Sequence, residues 1–167
     1  MPPRTGAPQK RREPVTRDRA LGAAVALADA EGIGAVTMRR LAQELGVEAM
    51  SLYHHVSGKD DILDGMVDSV FAEIEIPDDP DWRSAMEHRA HSMREVLARH
   101  PWALGLMGSR TQPGPATLAH HEAVLRCLRQ AGFSLAATAH AAALMDAYIF
   151  GFAMQEEQLP FETGEET

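Results

Sequence analysis

The sequence predicts an all-α protein in two parts, a small N-terminal three-helix unit and a longer helical body. Three observations lead there. Apolar residues recur at spacings of three and four, and no alternating strand pattern occurs anywhere. Ala and Leu, both strong helix formers, recur throughout, while aromatic residues make up only 5%. Capping and breaking residues fall between the apolar stripes, so each stripe has a start and a stop.

The first sixteen residues, MPPRTGAPQKRREPVT, are polar and Pro-rich with almost nothing to bury, and are expected to be disordered. Thr16 can cap a helix over 17–31, whose apolar positions are Ala20, Leu21, Ala24, Leu27 and Ala28. Gly32 and Gly34 are expected to end it. Thr37 caps a short helix over 38–45, with Met38, Leu41, Ala42 and Leu45 on one face, and Gly46 breaks it. A third helix is expected from Glu48 or Ala49, carrying Leu52 and Tyr53 and closed by Ser57 and Gly58. Ile62, Leu63, Met66, Val67, Val70 and Phe71 form the stripe of a fourth over 59–74. Asp60 and Asp61 sit in its first turn, where the helix dipole favours acids. IPDDPD, residues 76–81, is the clearest breaker. Helices over 82–99, 102–107, 116–131 and 135–155 follow, separated by His100-Pro101, the loop 108–115 and Gly132, with Ser134 capping the last. LPFETGEET, residues 159–167, is an acidic tail.

Charge is divided along the chain. The net charge is -8, but residues 1–60 carry nine basic and seven acidic side chains against seven and seventeen in residues 61–167. A basic head on an acidic body suits a molecule that meets phosphate with one end only. The single cysteine, Cys127, excludes an intrachain disulfide and fits a reducing cytoplasm. No run of eighteen apolar residues occurs, so no membrane span is expected. His88 and His91 lie one turn apart without a third ligand, and His120-His121-Glu122 lacks the second histidine of a zinc-protease motif. GxSxG and P-loop motifs are absent as well, so neither catalysis, nor a metal, nor a cofactor is expected.

The most informative stretch is TMRRLAQELGVEAMSLYHHVSGKDDIL, residues 37–63. It reads as two short helices joined by a tight turn, with Leu41, Ala42, Leu45, Val47, Leu52 and Val56 as their shared core. Gly46 accepts the left-handed conformation such a turn requires. This is the layout of a helix-turn-helix, whose second helix enters the major groove of DNA. The face left over holds Glu48, Ala49, Met50, Ser51, Tyr53, His54 and His55. Ser51 can bond a base edge or a phosphate, Tyr53 and His55 can donate to phosphate, and Met50 can touch a thymine methyl. Arg39 on the preceding helix and Lys59 at the start of the fourth complete the candidate DNA-binding set.

Leu45-Gly46-Val47, then Leu52-Tyr53-His54-His55-Val56 and Lys59, resemble the DNA-binding head of the TetR family, in its tetracycline-repressor branch. The resemblance covers residues 17–63 closely and the helical layout loosely to about residue 157. It implies DNA-facing roles for Arg39, Met50, Ser51, Tyr53, His55 and Lys59. The family often carries Pro or Thr where Met50 stands, which leaves the base preference open. It also implies a ligand-responsive regulator, expected to act as a repressor, that binds a palindromic double-stranded operator as a homodimer. By the same resemblance, residues 100–115 stand where a short helix and loop move on inducer binding, and residues 132–157 stand for the long central helix of the dimer bundle. The family's short helix supplies a histidine to a magnesium–tetracycline complex, whereas Ala103 to Met107 contain none. A small, largely apolar effector among Trp102, Leu106, Met107, Met145 and Tyr148 is therefore expected instead. The family adds two more helices after this point, the last completing the dimer interface, whereas this sequence stops at Thr167.

The resulting division is a basic tail over 1–16, a DNA-binding domain over 17–63, a connecting helix and linker over 64–80, and a ligand-binding and dimerisation domain over 81–167. A helix-turn-helix activator, and a helical protein-interaction module without DNA binding, are the alternatives the sequence leaves open.

Overall fold

A computed structural model describes residues 14–76, 78–110 and 112–158. The tail readings on residues 1–13 and 159–167 lie outside the described residues. Among the described residues eight α-helices follow in order: α1 Arg17–Glu31, α2 Met38–Leu45, α3 Ala49–Leu52, α4 Lys59–Glu73, α5 Trp82–Arg99, α6 Trp102–Met107, α7 Pro115–Gln130 and α8 Leu135–Gln158. The fold is all-α, with a helix-turn-helix head built from α1 to α3 and a helical bundle behind it.

Local chemistry sets most boundaries where the sequence put them. The side chains of Thr16, Thr37 and Ser134 accept hydrogen bonds from the backbone N–H groups of Arg19, Arg40 and Ala137. Each satisfies a donor that a helix start would otherwise leave unmet. Gly46 sits at φ 66°, ψ 35°, the left-handed conformation that closes α2. Gly32 alone ends α1, at φ 81°, while Gly34 lies within a single 3₁₀ turn, Ile33–Ala35. The third helix is also shorter than expected. After Leu52 the His54 and His55 N–H groups turn back to the carbonyls of Ser51 and Leu52, three residues away, tightening the chain so that Val56 reaches the core. Pro115 opens α7 one residue early, as its missing N–H allows at a first helical position, and α8 runs on to Gln158.

Three apolar clusters follow the chain from head to far end. The head core gathers Leu21, Leu27, Val36, Leu41, Leu52, Val56, Ile62 and Met66. Leu45 and Val47, expected in this core, pack at its edge, as does Ala49. The central core holds Val67, Val70, Phe71, Met93, Val96, Leu97 and Ile149, and the far one Met86, Val124 and Leu128. Helix α4 contributes to the first two, so head and body share one rigid rod. Gly65 marks its crossing with α1: a Cβ there would come 2.6 Å from Leu21 Cδ2.

Helix α8 contains a 22-residue stretch of mean hydropathy 1.3, long and apolar enough by length and composition to cross a membrane. It is nonetheless one wall of the bundle. Thr138, Ile149 and Ala153 are buried, and Asp146 forms an ion pair with Arg89 of α5. Leu135, Leu144, Tyr148, Phe152 and Met154 remain uncovered on it.

Candidate functional site

The head exposes the side chains that the sequence singled out. Met50 is 72% exposed, an unusual state for a large apolar residue, and Tyr53 follows it at the end of α3 at 48%. His55, Arg39 and Lys59 are exposed and Ser51 is half-buried, so none of the six enters a core. Neighbouring Arg40 is held by Glu31 at 2.7 Å and by Glu44 at 3.8 Å, whereas Arg39 and Lys59 have no ion pair among the described residues. Unspent cations beside a short exposed helix suit phosphate contacts. The start of α4 is fixed rigidly. Asp61 accepts from the Ser57 N–H at 2.8 Å and from Arg17 at 2.7 Å, and these bonds, Arg17 foremost, hold its carboxyl below the usual range.

The body holds a cavity of about 260 Å³, lined from five helices, α4 to α8, and the loop between α6 and α7. Val67, Phe71, Met93, Met107 and Phe150 supply apolar wall, and Asp64, Arg89, Arg110, Thr117, His121 and Asp146 supply polar groups. Of the five residues expected at a ligand, Met107 lines this cavity. The other four do not. Trp102 and Leu106 pack between the head core and the central core. Met145 joins the far core beside Trp82 and Phe133, and Tyr148 is 72% exposed, stacked on Phe152.

Sequence reasoning passed over Arg89 and Arg110, and weighed His120 only as a metal ligand. Arg89 is 1% exposed; its Nε donates to His120 Nε2 at 2.9 Å, and Nη2 pairs with Asp146. Burial, followed by the neighbouring Arg89 charge, pushes His120 down to about 4, so the ring is neutral and free to accept. The signal was present in the sequence. Arg89 falls on the stripe Ala85, Met86, Met93, Val96, Leu97 at helical spacing, where a cation has no business unless it is paired. Arg110, in the loop over the cavity, donates through Nε to Asp64 at 2.5 Å and through Nη1 to Asp60 at 3.2 Å, which fastens that loop to α4. Further along α4, Asp68 accepts from the N–H and hydroxyl of Thr117 at 2.8 and 2.9 Å, capping the start of α7.

A second junction ties body to head. His100 lies between Asp29 of α1 at 2.8 Å and Glu73 of α4 at 3.2 Å, and Trp102 Nε1 donates to Asp29 at 2.6 Å. Arg99, with His100 beside it, holds the Glu73 carboxyl below its ordinary value. Among the described residues no group of three His, Cys, Asp or Glu is arranged to hold a metal.

Comparison with known proteins agrees with this geometry. Residues 20–66 match the description of bacterial regulatory proteins of the tetR family, and residues 76–167 match the tetracyclin repressor-like C-terminal domain. An HTH-type transcriptional regulator of Saccharopolyspora erythraea is 41% identical over 146 residues, 86% of this chain and 62% of that protein. The HTH-type transcriptional repressor DrrR1 of Streptomyces coeruleorubidus is 39% identical over 145 residues, 85% of this chain and 54% of that protein. The chain thus spans less than two thirds of the length of these two relatives. The structure of the TetR family protein ActR from Streptomyces coelicolor in complex with (S)-DNPA superposes with a TM-score of 0.82 at 31% identity, covering 87% of this chain and 73% of ActR.

Proposed function

Because the chain belongs to the TetR family of bacterial regulatory proteins, we propose that it is a ligand-responsive transcriptional repressor, acting as a homodimer on a near-palindromic operator and released by a small, largely apolar effector. One observation carries this reading. Helix α4 begins with Lys59 beside the DNA-facing residues, and the same helix contributes Asp64, Val67 and Phe71 to the cavity wall. Twelve residues of helix separate Lys59 from Phe71, roughly 18 Å. A ligand that moves the cavity wall therefore moves the head.

In this reading residues 17–63 bind DNA, residues 64–80 connect, and residues 81–167 bind effector and partner. Arg39, Tyr53, His55 and Lys59 take the phosphate backbone, while Met50 and Ser51 meet base edges. The uncovered apolar face of α8 packs against a second copy, which sets the spacing of the two heads. Heads on successive half-sites must stand roughly 34 Å apart, so a small tilt of α4 is enough to lose the match. The effector works because it binds the released arrangement more tightly than the DNA-competent one, with a coupling of ~1–3 kcal/mol. ActR in complex with (S)-DNPA supports the effector, and the repressor DrrR1 supports the sign of control. Selection of bound duplexes from a random pool tests the proposal. A near-palindrome protected by two chains is expected, and a single asymmetric site held by one chain refutes it.

A further inference from the structure

The cavity is balanced in charge but not in hydrogen bonding. Arg89 is paired with Asp146, and Arg110 with Asp60 and Asp64, so each cation already has its anion. Two buried donors beside the cavity are left over. Arg89 Nη1 is buried without a partner, although Nε and Nη2 are both engaged. His120 Nε2 accepts from Arg89, which puts the proton of the neutral ring on Nδ1, and Nδ1 is buried without a partner too. Two adjoining side chains thus offer donors with no acceptor. Native interiors rarely leave such groups unmet, and an acceptor atom of a bound molecule is one way to satisfy them. The walls around Arg89 are Phe71, Met93, Met107 and Phe150, which suit a flat ring. A cavity of roughly 150 Å³ takes benzene, so about 260 Å³ has room for one or two rings.

We propose that the ligand of this cavity is a neutral carbonyl compound with an aromatic body, whose carbonyl oxygen accepts a hydrogen bond from Arg89. A carboxylate fits less well, because its charge would face Asp64 and Asp146 with no unpaired cation to offset it. The proposal rests on the reading of this cavity as the effector site, and its test separates the two. Three probes share a two-ring frame: 1-tetralone with a neutral carbonyl, tetralin without it, and 1-naphthoate with a carboxylate. Calorimetry on the DNA-free full chain is expected to rank 1-tetralone first, with tetralin weaker by about tenfold or more. Arg89→Met should close that gap to within about twofold, and Arg89→Lys, which keeps a cation for Asp146, should narrow it. The wild-type ranking decides the matter even where a variant does not fold. Equal binding of 1-tetralone and tetralin, tighter binding of 1-naphthoate, or no binding of 1-tetralone at millimolar concentration overturns the proposal. Operator displacement is read in parallel. Arg89-dependent binding of 1-tetralone with the operator still held would refute the effector reading and leave the Arg89 assignment standing. Release of the operator by tetralin and 1-tetralone alike would do the reverse.

Discussion

Replacing Trp102 by Phe isolates the bond that joins head and body while keeping most of the ring's packing. The indole Nε1 donates to Asp29 Oδ1 at 2.6 Å, across from α6 to α1. A hydrogen bond to a charged group contributes about 1.5–3 kcal/mol. Here the acceptor is one-third exposed and keeps His100 Nδ1 on the same oxygen at 2.8 Å, so water and His100 replace part of what is lost. The expected cost is about 1 kcal/mol, or about 2–4 °C in melting temperature for a chain of this size. Trp102→Ala adds the loss of packing against both cores; for a half-buried ring that brings the total to about 2–3 kcal/mol, below the range for a fully buried one. A double-mutant cycle with Asp29→Asn in thermal unfolding should return a coupling of about 1 kcal/mol. The functional consequence is selective, because Trp102 does not line the cavity. Binding of 1-tetralone to the DNA-free protein should change less than about twofold. The ratio of operator affinities without and with ligand should fall by about fivefold, since 1 kcal/mol of coupling corresponds to that factor. Additive behaviour in the cycle, or loss of ligand binding in step with stability, would refute the assignment of Trp102 as a strut and return it to the ligand.

Lys59→Ala should weaken binding to all duplexes alike and lower the salt slope by about one unit, whereas Met50→Ala should alter preference among sequences at constant slope; a salt titration on two operators checks both. A Cβ on Gly114 would collide with the Asp68 carboxylate that caps α7, so Gly114→Ala should cost about 1–2 kcal/mol in unfolding, and Asp68→Asn combined with it should add little further. His120 gives stability a pH dependence. Its pKa falls from 6.5 to about 4 on folding, so the unfolded chain takes the proton first. Stability is therefore lost as pH falls below 6.5, the loss is complete near 4, and it amounts to about 3 kcal/mol. Urea midpoints across that range should show it, and His120→Gln, whose carbonyl still accepts from Arg89, should remove it.

The helix-turn-helix was legible because everything that makes it is local. Thr37 caps, Gly46 turns, and Leu41, Ala42, Leu52 and Val56 close a core within twenty residues of chain. The exposed set from Arg39 to Lys59 followed as what that core leaves outside. The body was legible only as helices and breaks. Its Arg89 was readable in principle, as a cation on an apolar stripe, but the groups that satisfy it lie 31 and 57 residues away.

By itself, then, the sequence determined where most of the helices start and stop, that the head is a helix-turn-helix, and most of the residues that its core leaves to solvent. These depend on caps, turns and periodicity over one or two turns of chain. Tertiary structure alone decided that Trp102 braces α1 and that Met145 belongs to the far core. It also decided that the cavity is bounded by Arg89, Arg110 and Asp146. Helix α8 shows why. It is apolar nearly all round, so periodicity cannot say which side is inward, and only packing on α5 and α7 turned Ile149 in and Tyr148 out. A cavity is the space left between helices distant in sequence, and its lining is fixed by their crossing, which no single stripe encodes.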